Sequence, residues 1–444
     1  MLLGATVVVA RIAGVTDFGS FALALVVFQA GLLLRDAGLG QALIVLGGPD
    51  TTPTWHAFLS VSALGIGLAG VMALAADPVL SLLGLPEGAG QLRLLAVAFG
   101  VGSFGVVPNA SLERQFRFEA RAVIDILAYG SLAAVAVSGV IAGLGVEALA
   151  IGYIAQGAVQ AGAALVLAPP WRERSGARDG FGALVRYGGI LWVSALLSYL
   201  ATNIDNAVVG RIGGAQALGL YALSYTIGNT ITISLAQVLN RVALPYYART
   251  GADREATRNI LAAVLPLSVA VAMVPAVAII GFAPEIRNEL FSSGTTTLPL
   301  VVLTLYGVVR TLGVTMGTAL NGVGLARLQV WSSALNVAIL SVGLVPGFLL
   351  GGIAGVAIVV FVALAASAVY LAAGLHAIFG VGLRFVWRPA LAVAVVTALT
   401  LLPTGPAPLG LRIAVTLASA TFGLGWAISL VRQPPSAPHA APSR

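Results

Sequence analysis

The most regular feature of the chain is a succession of continuous apolar runs, each about 20 residues long, separated by short polar segments. An α-helix rises about 1.5 Å per residue, so a run of this length crosses roughly 30 Å of hydrocarbon. Membrane barrels show alternating segments of about ten residues instead. The pattern therefore predicts an all-α polytopic membrane protein with about 14 transmembrane helices.

These runs divide into two predicted bundles and a terminal pair. Six-helix bundles are predicted at 1–168 and 189–375, joined by a cytoplasmic connector at 169–188. An additional helix pair at 389–431 precedes a tail, 432–444, whose Pro, Ala and Ser content predicts disorder. The individual runs are 1–10, 18–34, 54–75, 92–108, 122–143, 147–168, 189–209, 218–238, 260–282, 298–320, 330–350, 353–375, 389–402 and 409–431. The first would reach only about 15 Å as a helix, half a bilayer. We expect that it is truncated, either because the true start lies upstream or because the sequence is a fragment; the alternative is a genuine half-helix.

An internal repeat relates the two bundles at an offset of 200 residues. Residues 8–23 and 208–223 are identical at eight of 16 positions. Apolar bias does not readily explain the shared arginine and glycines, in which Arg11, Gly14 and Gly19 match Arg211, Gly214 and Gly219. A second, weaker sequence match between the bundles pairs Gly145 and Val146 with Gly352 and Ile353. A shift of six helices preserves direction, so the repeat predicts two parallel bundles, an arrangement that transporters use for alternating access.

The composition supports a membrane location and limits the chemistry. Hydrophobic residues make up 59% of the chain and charged residues 9%, against roughly 25% charged in soluble domains. There is no cysteine and the three histidines are scattered, so neither a metal site nor a cofactor is predicted. We interpret the net charge of +7 as arginines that set the orientation of the protein in the membrane, rather than as a nucleic-acid-binding surface. Loops after even-numbered runs hold most of the loop arginines, whereas loops after odd-numbered runs, with the residues beside them, hold only Arg11, Arg93, Arg211, Arg287 and Arg412. Because arginines concentrate on the cytoplasmic side, this distribution predicts that both termini are cytoplasmic.

Three segments carry a resemblance to a known family. They read RIAGVTDFG at 11–19, LRDAGLGQALI at 34–44, and NIDNAVVGR at 203–211 followed by ALGLY at 217–221. Their order and spacing, with the two six-helix halves and the extra pair, resemble the polysaccharide transporter (lipopolysaccharide/oligosaccharide flippase) family of the multidrug/oligosaccharidyl-lipid/polysaccharide exporter superfamily. The short first run departs from that pattern.

The resemblance implies a flippase rather than an enzyme. Such a protein moves an undecaprenyl-pyrophosphate-linked sugar across the bacterial cytoplasmic membrane for cell-surface polysaccharide biosynthesis. Its partners would be the lipid-linked oligosaccharide, membrane lipids and other polysaccharide-assembly membrane proteins. Two alternatives are a cation-coupled drug exporter of the same superfamily and a membrane-embedded polysaccharide polymerase or ligase.

Charged side chains inside apolar runs are the candidates for the substrate path, because each costs about 2.5–3.5 kcal/mol at a helix centre. Arg310 lies in the middle of run 298–320, where its planar fork would suit phosphate oxygens or pair with an intramembrane carboxylate. Arg241 belongs to a basic rim that either attracts anionic head groups or serves only as a topology signal.

Asp205 lies between Asn203 and Asn206 in run 189–209. It could be a carboxylate that couples transport to protons or sodium, with the two amides as neighbouring oxygen ligands. It could form a salt bridge to Arg211 or Arg310. It could also belong to a polar contact between helices.

Arg35 and Asp36 end run 18–34. Adjacent residues on a helix diverge by about 100°, so the two do not simply pair with each other. Arg35 could face a cavity and Asp36 a neighbouring helix, or both could mark an ordinary helix end at the interface. Gly38 and Gly40 then suggest a helix break beside a substrate site.

Overall fold

A computed structural model describes residues 2–36, 54–115, 117–172, 181–230, 232, 247, 253–290, 297–323 and 325–380. Over these residues the fold is helical and contains no strand, which confirms the predicted all-α class. The first helices are α1 (Leu2–Ala13), α2 (Val15–Asp36), α3 (Thr54–Leu74), α4 (Ala76–Leu82), α5 (Ala89–Ser103), α6 (Val106–Arg114), α7 (Phe118–Ile141) and α8 (Glu147–Leu167). The later ones are α9 (Phe181–Tyr225), α10 (Arg254–Gly281), α11 (Ala283–Leu290), α12 (Leu298–Gly322) and α13 (Ala326–Phe379).

Several of these helices are built to cross a membrane. Seven described helices are long and apolar enough to do so, or up to eight if the pair Pro86–Ser103 and Val106–Glu113, bent by 46°, forms one span. Leu350 is 90% exposed and Leu74 85% exposed, which suits contact with lipid rather than water. The protein is therefore a multi-pass membrane protein, while the count of about 14 stays a prediction. The predicted pair 389–431 and tail 432–444 lie outside the described residues.

The chain forms two compact units, Met1–Ala222 and Leu223–Arg444. Within the first, α7 and α8 form an antiparallel hairpin, in which a Cβ at Gly139 would lie 2.9 Å from the Cβ of Ala148. The helix α9 begins at Phe181, inside the stretch predicted as the connector 169–188. The predicted boundaries of the two bundles stay predictions.

The repeated segments match in backbone geometry as well as in sequence. Gly14 separates α1 from α2 with a φ of 98°, and Gly214 breaks α9 with a φ of 74°. Residues with a Cβ rarely adopt this left-handed region, so glycine is required at both breaks. The weaker sequence match also has matching backbone geometry, because Gly145 and Gly352 have φ values of 59° and 56°.

A reciprocal close crossing lies just beyond these breaks, within the first unit. A Cβ at Gly19 would lie 1.8 Å from the carbonyl oxygen of Ala215, and one at Gly219 would lie 1.9 Å from that of Val15. The four residues form two pairs at the repeat offset of 200, so the contact is close to symmetric. Only glycine allows the two backbones to approach this closely.

The second unit has its own core around α10, α12 and α13. Fully buried apolar side chains such as Leu265, Met316 and Leu320 fill it. Polar contacts also join these helices. The hydroxyl of Thr315 bonds that of Ser268 at 3.1 Å, and Ser332 and Ser367 exchange hydroxyl-to-carbonyl bonds of 3.2 and 3.1 Å. Ser332 and Ser367 lie on either side of the break in α13 at Gly352, so their bonds join the two parts of that helix. Such hydroxyl contacts between helical segments are typical of membrane bundles.

Candidate functional site

A cavity of about 470 Å³ lies within the first unit, between α2, α5, α7, α8 and α9. Its volume falls within the roughly 300–1,000 Å³ that is typical of small-molecule sites. The lining residues are Phe28, Gln29, Leu32, Arg35, Ala98, Gly102, Tyr129, Tyr153, Gln156, Gly157, Gln160 and Tyr199. Among these described residues, Arg35 is the only one with a formal charge.

One wall of the cavity is aromatic. The rings of Phe28 and Tyr153 pack edge to face with centroids 5.7 Å apart, and Phe28 also meets Phe99 edge-on at 6.2 Å. Tyr199 of α9 joins this side of the cavity, and its hydroxyl donates to the carbonyl oxygen of Val26 on α2. These contacts fix the rings as a rigid apolar surface with hydroxyl groups at its edge.

Amides line the cavity next to Tyr153, on the same face of α8. Gln156 and Gln160 are four residues apart on α8, so they lie one turn apart on the same helix face. The Nε2 of Gln160 donates to Oδ1 of Asp125 on α7 at 3.4 Å. Asp125 in turn forms an ion pair with Arg121 at 3.3 Å. This chain of contacts orients Gln160 from outside the cavity.

Arg35 lies near the end of α2, and it lines the cavity, one of the two positions that the sequence left open for it. Its Nη1 donates to the carbonyl oxygen of Phe99 at 3.2 Å, and its guanidinium carbon lies 5.2 Å from the centroid of the Phe99 ring. Gly102 leaves room for it, because a Cβ there would lie 3.1 Å from Nη1. The guanidinium is therefore held half-buried in the lining of the cavity.

Asp205 is buried on α9 and 3% exposed. Its Oδ2 accepts from the hydroxyl of Tyr221 at 2.6 Å, and its Oδ1 accepts from the backbone N–H of Asn206 at 2.9 Å. Asn203 lies two residues earlier on α9, and its Nδ2 donates to the carbonyl oxygen of Tyr199 at 3.1 Å. The Tyr221 bond is a link between two turns of α9 on either side of the break at Gly214.

Arg310 lies in the second unit on α12. Its Nη1 donates to the hydroxyl of Tyr225 at 2.8 Å, and its guanidinium carbon lies 6.0 Å from the centroid of the Tyr306 ring. The two tyrosine rings pack at 5.7 Å. The π-helix Thr226–Thr230 crosses α12 beside this cluster, where a Cβ at Gly228 would lie 2.8 Å from Thr304. Short π-helical segments are frequent at functional sites.

The remaining predicted residues are spread out. Arg211 is exposed and lies 3.5 Å from the Cβ position of Gly84, near the end of α2 that begins at Val15. Arg35 is 20 residues further along α2, or about 30 Å, so these two arginines do not share a site. Asp36 is the last residue of α2, and Arg241 lies outside the described residues.

The amides and tyrosines of the cavity were missed by the sequence analysis, which searched for charge. The available signal was Gln156 and Gln160, two polar residues on one face of the apolar run 147–168. Their convergence with Gln29 and Tyr129 depends on packing between helices and was not visible from spacing within one run.

Comparison with known proteins relates the sequence to polysaccharide biosynthesis proteins. The sequence model described as "Polysaccharide biosynthesis protein" matches residues 8–293. The lipopolysaccharide biosynthesis protein WzxC of Escherichia coli is 26% identical over 268 residues, covering 56% of this chain and 51% of WzxC. The teichuronic acid biosynthesis protein TuaB of Bacillus subtilis is 26% identical over 181 residues, covering 38% of this chain and 35% of TuaB. The matches thus span about half the length of these relatives, or less.

Solved structures agree at the level of the fold. The lipid II flippase MurJ in an inward closed conformation superposes with a TM-score of 0.73 over 97% of both chains, at 13% identity. An inward-facing multidrug resistance transporter of the MATE family superposes with a TM-score of 0.69 over 89% of this chain and 94% of that one, at 17% identity. The fold is thus that of polytopic membrane transporters. Because the family match covers well over half of the chain, the chain belongs to the polysaccharide biosynthesis protein family.

Proposed function

We propose that this protein translocates a lipid-linked oligosaccharide, an undecaprenyl-pyrophosphate-linked sugar, between the leaflets of the bacterial cytoplasmic membrane. The observation that carries the proposal is the character of the cavity in the first unit. Among its described lining residues it offers one arginine, no carboxylate, three glutamines and three tyrosines. This inventory fits a polar head group that combines negative charge with hydroxyl groups.

The electrostatics of the cavity set the sign of the substrate. A guanidinium held in a low-dielectric surrounding attracts phosphate strongly, and its planar fork matches two phosphate oxygens. With the orientation that the arginine distribution predicts, Arg35 lies at the cytoplasmic end of α2. A head group would then enter from the cytoplasmic leaflet, while the lipid tail stays in the bilayer. Alternating access would open the cavity to the other leaflet.

A cation-coupled drug exporter is the alternative that the MATE-like fold favours. An organic cation calls for carboxylates or an apolar aromatic cage in the site. The aromatic wall could contact such a ligand, but Arg35 repels it, and the described lining residues include no carboxylate to offset that repulsion. The cavity therefore favours the anionic substrate. No observation favours a polymerase or ligase.

The proposal is tested by measuring two transport activities in the same proteoliposomes. One is the movement of a lipid-linked oligosaccharide pool from the source bacterium, detected by an impermeant reagent that modifies sugars in the outer leaflet. The other is efflux of an organic cation such as ethidium under an imposed proton or sodium gradient. We expect movement of the lipid-linked sugar and no ethidium efflux above protein-free liposomes. Ethidium efflux without sugar movement would favour the drug exporter instead.

A further inference from the structure

The cavity contains two kinds of surface that the charge of Arg35 does not explain. We infer that the amide wall of Gln156 and Gln160, with Tyr129, is a sugar-recognition subsite that binds the hydroxyl groups of the sugar next to the phosphate. This inference deepens the proposed function and rests on it. It assigns the phosphate and the sugar of the head group to different side chains of one cavity.

The chemistry of the amide wall matches a sugar. Each glutamine amide offers donors and an acceptor, and each sugar hydroxyl can both donate and accept. Gln156 and Gln160 lie one turn apart, roughly 5–6 Å between side-chain positions, so both can contact neighbouring hydroxyls of one pyranose ring. Tyr129 adds a third hydroxyl-binding group from α7. An anion alone would require no such set of neutral groups.

Gln160 is oriented for this task by residues behind it. Its Nε2 donates to Asp125, so its Oε1 is left to accept from a ligand hydroxyl in the cavity. Asp125 is held by Arg121 through an ion pair on the same helix. Asp125 is thus a positioning residue: it fixes which way the amide of Gln160 points and need not touch the sugar.

The aromatic wall completes the match. A pyranose ring has an apolar face of C–H groups and an edge of hydroxyls. Phe28 and Tyr153, fixed edge to face at 5.7 Å, provide an apolar surface beside the amides, because Tyr153 lies on the same face of α8 as Gln156 and Gln160. A pyranose bound here would place its apolar face on the aromatic rings and the hydroxyls at its edge toward the neighbouring amides.

The position of Arg35 selects which sugar is bound. Arg35 lies near the amide-bearing part of α8, because a Cβ at Gly102 would lie 3.1 Å from Nη1 of Arg35 and 4.0 Å from the Cα of Gly157, the residue after Gln156. A phosphate at Arg35 therefore leaves its directly attached sugar beside the amide wall. The cavity is too small for a whole oligosaccharide, so we expect it to read the sugar nearest the lipid and to tolerate changes further out.

The test uses the natural absence of cysteine from the chain. Leu32, which lines the cavity, is replaced by cysteine, and the rate of its modification by a maleimide is measured with the purified protein in detergent. The probes are a panel of hexose 1-phosphates and, as the comparison, inorganic phosphate. We expect at least one hexose 1-phosphate to protect the cysteine at a roughly 3- to 10-fold lower concentration than inorganic phosphate, the size expected for one or two hydrogen bonds.

Three variants in this background locate the effect. Gln156→Leu and Gln160→Leu should abolish the advantage of the sugar phosphate while leaving protection by inorganic phosphate unchanged. Asp125→Asn should reduce the advantage without abolishing it. Gln216→Leu makes the same chemical change on an exposed residue of α9 and should leave both probes as in the parent. Tyr129→Phe removes one hydroxyl only and serves if a leucine variant fails to fold.

The two claims fail in different ways. Equal protection by every sugar phosphate and by inorganic phosphate would overturn the subsite, even in a protein that moves lipid-linked sugar. An advantage that survives the glutamine substitutions would overturn it as well. Protection that depends on the glutamines, in a protein that moves no lipid-linked sugar, would support the subsite and reject the proposed function.

Discussion

The crossing of α2 with the second part of α9 makes a strong prediction about stability. A Cβ at Gly19 would lie 1.8 Å from the carbonyl oxygen of Ala215. Carbon and oxygen in the closest favourable contacts between helices are about 3.3–3.6 Å apart. Gly19→Ala therefore forces the two backbones apart by about 1.5 Å, and overpacking of this kind costs about 1–3 kcal/mol. Backbone atoms cannot swing aside as a side chain would, so we expect the upper part of that range.

The measurement is thermal unfolding of the detergent-purified variants, followed by loss of the monodisperse peak in size-exclusion chromatography. Gly67→Ala and Gly70→Ala on α3 are matched controls, because nothing lies within 4 Å of a Cβ at either position. Those controls should unfold at the wild-type temperature or slightly above, since alanine favours a helix over glycine by about 1 kcal/mol. Gly19→Ala should unfold several degrees lower.

The symmetry of the crossing adds a second condition. Gly219→Ala should be destabilising to a similar degree, because its Cβ would lie 1.9 Å from the carbonyl oxygen of Val15. The double variant should cost less than the sum of the two, since one separation of the helices relieves both clashes. If Gly19→Ala were as stable as the α3 controls, the close approach and the symmetric crossing would both be refuted.

Three further predictions concern single contacts. The carboxylate of Asp253 caps the first turn of α10 by accepting from two backbone N–H groups. Asp253→Ala should therefore lower the free energy of unfolding by about 1 kcal/mol, whereas Asp253→Asn keeps an accepting oxygen and should not. Thermal unfolding checks both variants. Tyr221→Phe should cost about 1–3 kcal/mol in the same assay, because it removes a hydroxyl that donates to buried Asp205, and an unchanged unfolding temperature would contradict that bond. Arg310→Ala should abolish lipid-linked sugar movement in proteoliposomes, and Arg310→Lys should keep part of it, because lysine keeps the charge but not the planar fork. Movement at the wild-type rate by both variants would make Arg310 structural.

Much of the fold could be predicted from the sequence because the bilayer imposes a single dominant constraint. Runs 54–75, 147–168 and 298–320 correspond closely to α3, α8 and α12, since helix length follows directly from membrane thickness. The glycines of the repeat could be predicted as well. Gly14 and Gly214 have left-handed φ values that residues with a Cβ rarely adopt. Glycine is therefore required at both positions, and the two glycines can be recognised in the sequence repeat.

The site could be predicted only in part. Arg35 stood out because a charge in an apolar run is costly, and the structure places it in the lining of a cavity. Gln160 and Tyr129 gave no such signal, since neutral polar residues are common contacts between membrane helices. Their role depends on which helices are neighbours, and hydrophobic periodicity carries no information about that. For the same reason, spacing alone could not show that Asp205 accepts from Tyr221 across the break in α9.

The most direct test of the central claim is the rate of leaflet-to-leaflet movement of lipid-linked oligosaccharide in proteoliposomes containing wild type, Arg35→Ala or Arg35→Lys. Arg93→Ala is the control, because Arg93 forms an exposed ion pair with Asp77 outside the cavity, and such pairs contribute little. We predict that Arg35→Ala slows movement roughly 10-fold or more, that Arg35→Lys keeps part of the rate, and that Arg93→Ala behaves as wild type. Movement at the wild-type rate by a correctly folded Arg35→Ala protein would contradict the claim that this cavity carries the anionic head group.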